Sequence, residues 1–280
     1  MRTYMLSLFM LTSVLFAQAQ EDSLQANKYV TRATLYGIGY TNILDTYLSP
    51  MEYTGTELRI LKESMRMTKL MDGQVSTQSI FQLHLSYTKN KAETGREFSG
   101  WINWSLAWHY QFRFHRLKLL AGPMLDMNLG YIYNIRNSNN PAQAIANTSV
   151  DLSGMAVYHF QIRHYPLVAR YQLNIPIAGI MFSPEYGQSY YEIFELKHDG
   201  KNVIFTTPAN HPSFRQFISL DFPIGKVNLR AGYMCDIQQA SVNHLKSHAW
   251  SHLFMIGLIK NFCVLKGKNK ISLPTSVNPF

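Results

Sequence analysis

Two faces alternate through the middle of the chain with little interruption. In Trp101–Phe114 the even positions are Ile102, Trp104, Leu106, Trp108, Tyr110, Phe112 and Phe114, and the odd ones between are Asn103, Ser105, Ala107, His109, Gln111 and Arg113. Period-two alternation puts every apolar group on one side of a β-strand. His115-Arg116 then reads as a two-residue turn. Beyond it Leu117, Leu119, Ala121, Pro123, Leu125, Met127, Leu129, Tyr131, Tyr133 and Ile135 continue the apolar face, while Lys118, Gly122, Asp126, Asn128 and Asn134 fall mostly on the other. The pattern predicts a hairpin of two strands far longer than the five or six residues usual in soluble sheets. A strand this long with one uniformly apolar face argues against a soluble β-sandwich and for a hairpin that crosses a bilayer.

The same alternation marks eight further strands: Thr31–Thr41, Thr54–Thr68 (less regular, with a bulge expected near Leu61), Ser79–Thr88, Ser149–Arg163, Leu167–Met181, Phe214–Phe222, Lys226–Gln239 and, weakly, His248–Phe262. Pro176 has no N–H for a ladder, so a local break is expected there. The connections after the fourth, sixth and eighth strands are tight. Those after the first, third, fifth, seventh and ninth are long and polar, and the one after the second, with Asp72-Gly73, is intermediate. Short turns at one end, long loops at the other and an even strand number are the habit of outer-membrane barrels. In hydrocarbon an open sheet edge leaves N–H and C=O groups unpaired, so a spanning sheet closes on itself. The prediction is an all-β, transmembrane, up-and-down antiparallel barrel of about ten strands, or twelve if the segment Tyr190–Phe205 also crosses.

Composition adds an address. Met1-Arg2 leads a twelve-residue apolar run, Met5–Phe16, followed by Ala17-Gln18-Ala19. This is the pattern of a secretory signal peptide, residues 1–19, ahead of a barrel with a polar C-terminal tail over 20–280. Export and the strand pattern together predict the cell outer membrane. No later run is long enough for a membrane helix. Aromatics make up 13% of the chain, with 17 Tyr, which suits interfacial girdles, and only 15% of residues are charged.

The formal net charge is +9. No Lys/Arg-rich block or nucleic-acid motif accompanies it, so nucleic acid is not an expected partner. Outer-membrane lipids and lipopolysaccharide are, and barrel-assembly machinery is implied by the architecture. Cys235 and Cys263 map to neighbouring strands at heights roughly 30 Å apart, too far for a disulfide, which needs Cα atoms within about 7 Å.

The central run Tyr171-Gln-Leu-Asn-Ile-Pro-Ile-Ala-Gly-Ile-Met-Phe-Ser-Pro-Glu-Tyr-Gly-Gln-Ser-Tyr-Tyr-Glu-Ile-Phe194 resembles the signature of an uncharacterised Gram-negative outer-membrane barrel family, a domain of unknown function. The resemblance implies a barrel and an outer-membrane address. It brings no catalytic, metal or cofactor residues.

No phosphate loop, C-x-x-C, H-E-x-x-H or G-x-S-x-G occurs. No cofactor or metal is expected. The predicted lumen face carries His84, Asn103, His109, Gln111, Arg113, Asp126, Asp151, His159, Gln161, Arg163, Arg170, Asp221 and Arg230. In so narrow a barrel these side chains are expected to fill the interior by pairing. The other readings are a polar, partly basic channel and a catalytic cluster at one rim. Trp104, Trp108, Tyr110, Tyr131, Tyr133 and Tyr158 are predicted to face lipid, and Trp101 is read as a further interfacial anchor. Glu185, Tyr186, Tyr190, Tyr191 and Glu192 are candidates for a binding surface in the longest outer loop, the other reading being a loop that packs its own tyrosines. The function expected is a non-enzymatic outer-membrane barrel, a small pore or a structural and binding protein. The alternative is a barrel protease or lipid-modifying hydrolase with carboxylate and His residues at the rim.

Overall fold

Ten long strands, each hydrogen-bonded to its chain neighbours, close into a barrel. The structure is a computed structural model and describes residues 29–137, 140–197, 201–225, 227–264 and 270–272. The expected signal peptide, the polar leader and most of the tail lie outside the described residues. The strands are β1 (Tyr29–Asp45), β2 (Tyr53–Met67), β3 (Val75–Asn90), β4 (Arg96–Phe114), β5 (Leu117–Asn134), β6 (Ala142–Ile162), β7 (Tyr165–Phe182), β8 (Val203–Thr206), β9 (Phe214–Ile224), β10 (Val227–Val242), β11 (Leu245–Val264) and β12 (Lys270–Ser272). Neighbours along the barrel pair antiparallel in the order β1 to β7, then β9, β10 and β11, and β11 returns to β1. The seam runs from Tyr29↔Cys263 to Asp45↔Ser247 without a slip. β8 only extends β7 at one end, Gly179↔Thr206 to Phe182↔Val203, and β12 pairs with the end of β11. The barrel therefore has ten strands and not twelve: the segment after β7 does not cross.

Nine of the ten strands run 15 to 21 residues, while β9 has 11. A tilted strand needs only about 9–11 residues to cross hydrocarbon, so most project past it. Side chains alternate in the expected sense. Trp104, Trp108, Tyr131, Tyr133 and Tyr158 point outward and are exposed, as are Tyr36, Ile38, Leu58, Leu129, Val150, Leu152, Phe254 and Ile256. Water-soluble proteins rarely leave an apolar surface of this extent bare. The belt is what hydrocarbon would cover. Tyr110 also points outward but is half-buried, and its phenol donates to Gln74 Oε1.

Local chemistry sets the ends and the irregularities. His115-Arg116 turns β4 into β5, with His115 at φ 44°. Pro176 coincides with a register shift. Val150 pairs with Ala178 but Asp151 with Pro176, so Ile177 is skipped as a bulge beside the residue that has no N–H. At Pro123 the β4–β5 ladder lapses for two pairs and resumes in the same register.

Three sequence expectations change. β2 pairs with β1 and β3 in continuous register, so there is no bulge near Leu61. The connection after β10 is not a long loop. It is a tight turn at Asn243-His244, because β10 and β11 run further than their apolar alternation does. Trp101 is not a lipid anchor: its odd position turns it inward, where it is 6% exposed. It finds room there because its neighbour across the ladder is Gly130. Cys235 is a free thiol. It pairs with His252, eleven residues from Cys263 along β11, a separation of about 36 Å.

Candidate functional site

The inward positions of β2 read Glu57, Arg59, Leu61, Glu63, and a buried ion network grows from them. Arg59 Nε donates to Glu57 Oε1 (2.8 Å), and its Nη1 reaches Asp236 Oδ2 on β10 (2.7 Å). The same Asp236 oxygen accepts from Arg215 Nε on β9 (3.0 Å). Arg215 lies 3.6 Å from Asp126 on β5. Asn103 Nδ2 donates to Asp126 Oδ2 (2.8 Å), and Asn103 Oδ1 accepts from Gln82 (3.0 Å). This upper tier binds β2, β3, β4, β5, β9 and β10 across the lumen.

A second tier lies nearer the turn end. Glu63 takes Arg170 Nη2 (2.9 Å) and Arg230 Nη1 (2.5 Å). Arg230 also grips Asp221 through two bonds of 2.6 and 2.8 Å. Gln78 donates to Glu63 and exchanges bonds with Gln172. Apolar side chains fill in around the tiers, with Leu35, Leu61, Ile80, Met234, Leu253 and Met255 as one buried cluster. Charges placed in such an interior persist only when paired and hydrogen-bonded, and here four arginines meet five carboxylates. The cavity bordered by both tiers measures about 30 Å³, room for one or two waters.

The predicted lumen residues fall into three groups. Asn103, Asp126, Arg170, Asp221 and Arg230 join the network. His84, His109 and Asp151 are buried beside it, and Gln111 is buried nearer the turn end, donating to Met67 Sδ at 3.2 Å. His84 stacks on Trp101 at 4.8 Å and sits 3.5 Å from Glu57 Oε1. His109 Nε2 bonds Ser153 Oγ at 2.8 Å, and Asp151 accepts from Ser149 at 2.6 Å. His159 is half-buried at the turn end and lines a cavity of about 150 Å³ with Asp221 and Asn228. The three histidines are thus spread along the lumen and not gathered with a carboxylate at a rim. The third group leaves the lumen. Arg113 and Gln161 are exposed at the turn end, and Arg163 lies in the β6–β7 turn at φ 56°. Their parity is inward, but the β4–β5 and β6–β7 hairpins run on past their neighbours here, since β3 stops pairing with β4 at Tyr110 and β5 with β6 at Tyr158, so these side chains lie beyond the enclosed interior.

Sequence reading missed Glu57, Arg59, Glu63 and Arg215. Opposite charges two apart, Glu57 and Arg59, were the available signal. They were masked because β2 carries Lys62, Ser64 and Arg66 on its other face.

The opposite end is capped. Residues 183–197 and 201–213 fold over the mouth, with a short helix α1 (Tyr190–Phe194) started by a capping box: Ser189 Oγ accepts from Glu192 N and the Glu192 side chain from Ser189 N. Tyr190 donates to Gln143 Oε1 (2.9 Å) and accepts from Ala144 N (2.6 Å). Tyr47, in the β1–β2 loop, donates to Gln188 O (2.8 Å) and meets the Tyr190 ring edge-on at 6.1 Å. Burial pushes the Tyr47 phenol up to about 12, aided by Tyr190, Asp45 and Glu192 nearby. Burial also raises Tyr190 and lowers His211. Below the cap lies a cavity of about 100 Å³, lined by Asp45, Gln143, His211, Gln238 and Ile132 among others. Of the five loop candidates, Tyr186 and Tyr191 stand exposed and Glu185 is paired with Lys201 at 3.7 Å. Tyr190 and Glu192 are instead consumed in holding the loop, since the capping box and the hydroxyl bonds occupy their polar atoms.

The model of the family described as "Protein of unknown function (DUF3316)" matches residues 4–269. The chain belongs to that family. No curated protein matches this DUF3316 member. Among solved structures, it is similar to the translocator domain of the autotransporter NalP from Neisseria meningitidis (11% identity, 89% of this chain and 95% of that one, TM-score 0.41). It is also similar to the transport unit of the autotransporter AIDA-I from Escherichia coli (8%, 86% and 97%, TM-score 0.43). A third similarity is to the outer membrane protease OmpT from Escherichia coli (6%, 83% and 96%, TM-score 0.42). No role is carried over at these levels, and the fold of the DUF3316 chain rests on its own strand register.

Proposed function

We propose that this chain is an exported, integral outer-membrane barrel that conducts nothing. It is a scaffold whose lumen is sealed by its own ion pairs and whose long-loop end presents a fixed, tyrosine-rich cap to the outside. Lipids and lipopolysaccharide surround the apolar belt, and the barrel-assembly machinery inserts it. The observation that carries the reading is the pair of ion tiers across the lumen, with about 30 Å³ left beside them. A pore needs a continuous wet path, and charges locked two and three deep do not yield one.

An enzymatic reading finds less support. His109 and Ser153 form a pair, but both are fully buried. Among the described residues no group of three His, Cys, Asp or Glu is placed to hold a metal.

Planar-bilayer recording tests the reading. The wild-type chain, shown to be a folded barrel by heat-modifiable migration, is expected to give no stable conductance steps. The double variant R59A/R215A leaves Glu57, Asp126 and Asp236 uncompensated and is expected to admit water and cations. Steady conductance from the wild type would overturn the sealed-lumen reading.

A further inference from the structure

The outward wall of three adjacent strands carries unpaired positive charge. Arg32 on β1 faces Lys260 of β11 directly across the seam. On its other side β2 sets Lys62 opposite Thr34 and Arg66 opposite Val30, one diagonal step to either side of Arg32. All four side chains are exposed. The acids of these strands, Asp45, Glu57 and Glu63, are buried. Among the described residues no ion pair involves any of the four cations; Arg66 Nε only donates to Thr77 Oγ1 at 3.3 Å. Like charges directly opposite one another destabilise a sheet, so the bare patch is a local cost that a bound anion would relieve.

Its place on the wall says which anion. Beyond Lys62 and Lys260, toward the middle of the barrel, the same outward face carries Tyr36, Ile38, Leu58, Ile256 and Leu258, all exposed. The patch therefore stands where the apolar belt ends on the turn side. Long cationic side chains at that depth reach toward head groups with their stems still on apolar surface. Diagonal cross-strand neighbours lie about 7–8 Å apart, so Lys62 and Arg66 flank Arg32 closely enough to converge on one phosphodiester. The adjoining apolar wall would take the acyl chains of the same molecule, which a free anion lacks.

We propose that Arg32, Lys62, Arg66 and Lys260 form a head-group site for an anionic phospholipid in the leaflet at the turn end of the barrel. The proposal rests on the membrane-spanning reading above. It concerns which lipid sits at one place on the wall, and spanning alone requires no such preference.

The test uses the full chain in neutral detergent, titrated separately with phosphatidylglycerol, phosphatidylcholine and inorganic phosphate, with bound lipid read by native mass spectrometry. In parallel, the chain is reconstituted into phosphatidylcholine vesicles and floated. Phosphatidylglycerol is expected to be retained over phosphatidylcholine, and R32Q/K260Q, which removes two of the four cations, is expected to weaken that retention about tenfold or more. If that variant fails to show heat-modifiable migration, K62Q/R66Q carries the same expectation. Equal retention of both lipids by a wild type that floats would overturn the site and leave the barrel in its membrane. Displacement of phosphatidylglycerol by inorganic phosphate at equal concentration would make it a free-anion site and overturn the lipid assignment. A wild type that does not float with vesicles would remove the spanning reading, and the site with it.

Discussion

Arg59 and Asp236 are 177 positions apart in sequence and 2.7 Å apart in the lumen. Neither is exposed, and the bond joins β2 to β10 across the barrel. Substituting Arg59 with Ala leaves Glu57 and Asp236 short of a counter-charge in a dry interior. The expected cost is about 3–5 kcal/mol, read as a fall in the urea midpoint of the reconstituted barrel. Replacing Arg59 and Glu57 together by Met and Leu is expected to recover much of it, because Asp236 keeps Arg215 at 3.0 Å and no carboxylate is then left without a counter-charge on that side. Equal losses in the single and double variants would show that the pair does not act as a unit.

The cap hangs on Tyr190. Tyr190→Phe keeps the ring contacts with Tyr47 and Phe194 but removes the hydroxyl that serves both Gln143 and Ala144. A loss of about 1–2 kcal/mol in local stability is expected, while the ten-strand wall is untouched. Limited proteolysis is therefore expected to cut residues 186–196 faster, with the heat-modifiable shift of the barrel preserved.

Alkali is expected to release the same cap. The Tyr47 phenol sits at about 12 in the folded chain against 10.0 for a free one. A folded-state value above the unfolded one means that its contribution is complete below pH 10, declines as pH rises past that and is gone near 12. His211 shifts the other way. Burial lowers it beneath 6.5, so its contribution is present above that pH and drains away as pH falls. Tyrosinate absorbance and protease sensitivity of the cap, scanned together with pH, check both limbs.

The turn at Asn243-His244 holds two non-glycine residues at φ 50° and 60°. Asn243 is needed there, since its side chain donates to Ser183 O and Lys201 O, both at 3.0 Å. His244 makes no such tie to the cap. His244→Gly is expected to relieve about 1 kcal/mol of left-handed strain and to raise the unfolding midpoint. An unchanged or lower midpoint would mean that the imidazole makes a contribution of its own.

How much of this was legible depended on whether one face was apolar. The β4–β5 hairpin was readable down to its turn residues because Trp, Tyr and Leu fill one parity and Asn, Ser and His the other. The first third of β6 carries no such contrast and reads as loop. Its outward residues, Ala142, Ala144, Ala146 and Thr148, are too small and polar to contrast with Gln143 and Asn147. β2 blurred for the opposite reason, with charge on both faces. The ion tiers were out of reach. Glu63 finds Arg170 and Arg230 at 107 and 167 positions' remove, and parity says only that each points inward, not at what height it arrives. The capping box at Ser189 and Glu192 was visible as letters, but a five-residue helix has no period to announce it.

The seam has a consequence for assembly. β1 finds its second neighbour only when β11 arrives, more than two hundred residues later. Until then both flanks of the growing ribbon keep raw backbone groups that oil will not solvate. The hoop is either shut or unfit for the bilayer, so insertion and the final stitch have to be one event. A chain halted before β11 would keep an open edge on β1, and under the proposed export it would not enter the wall of the cell by halves.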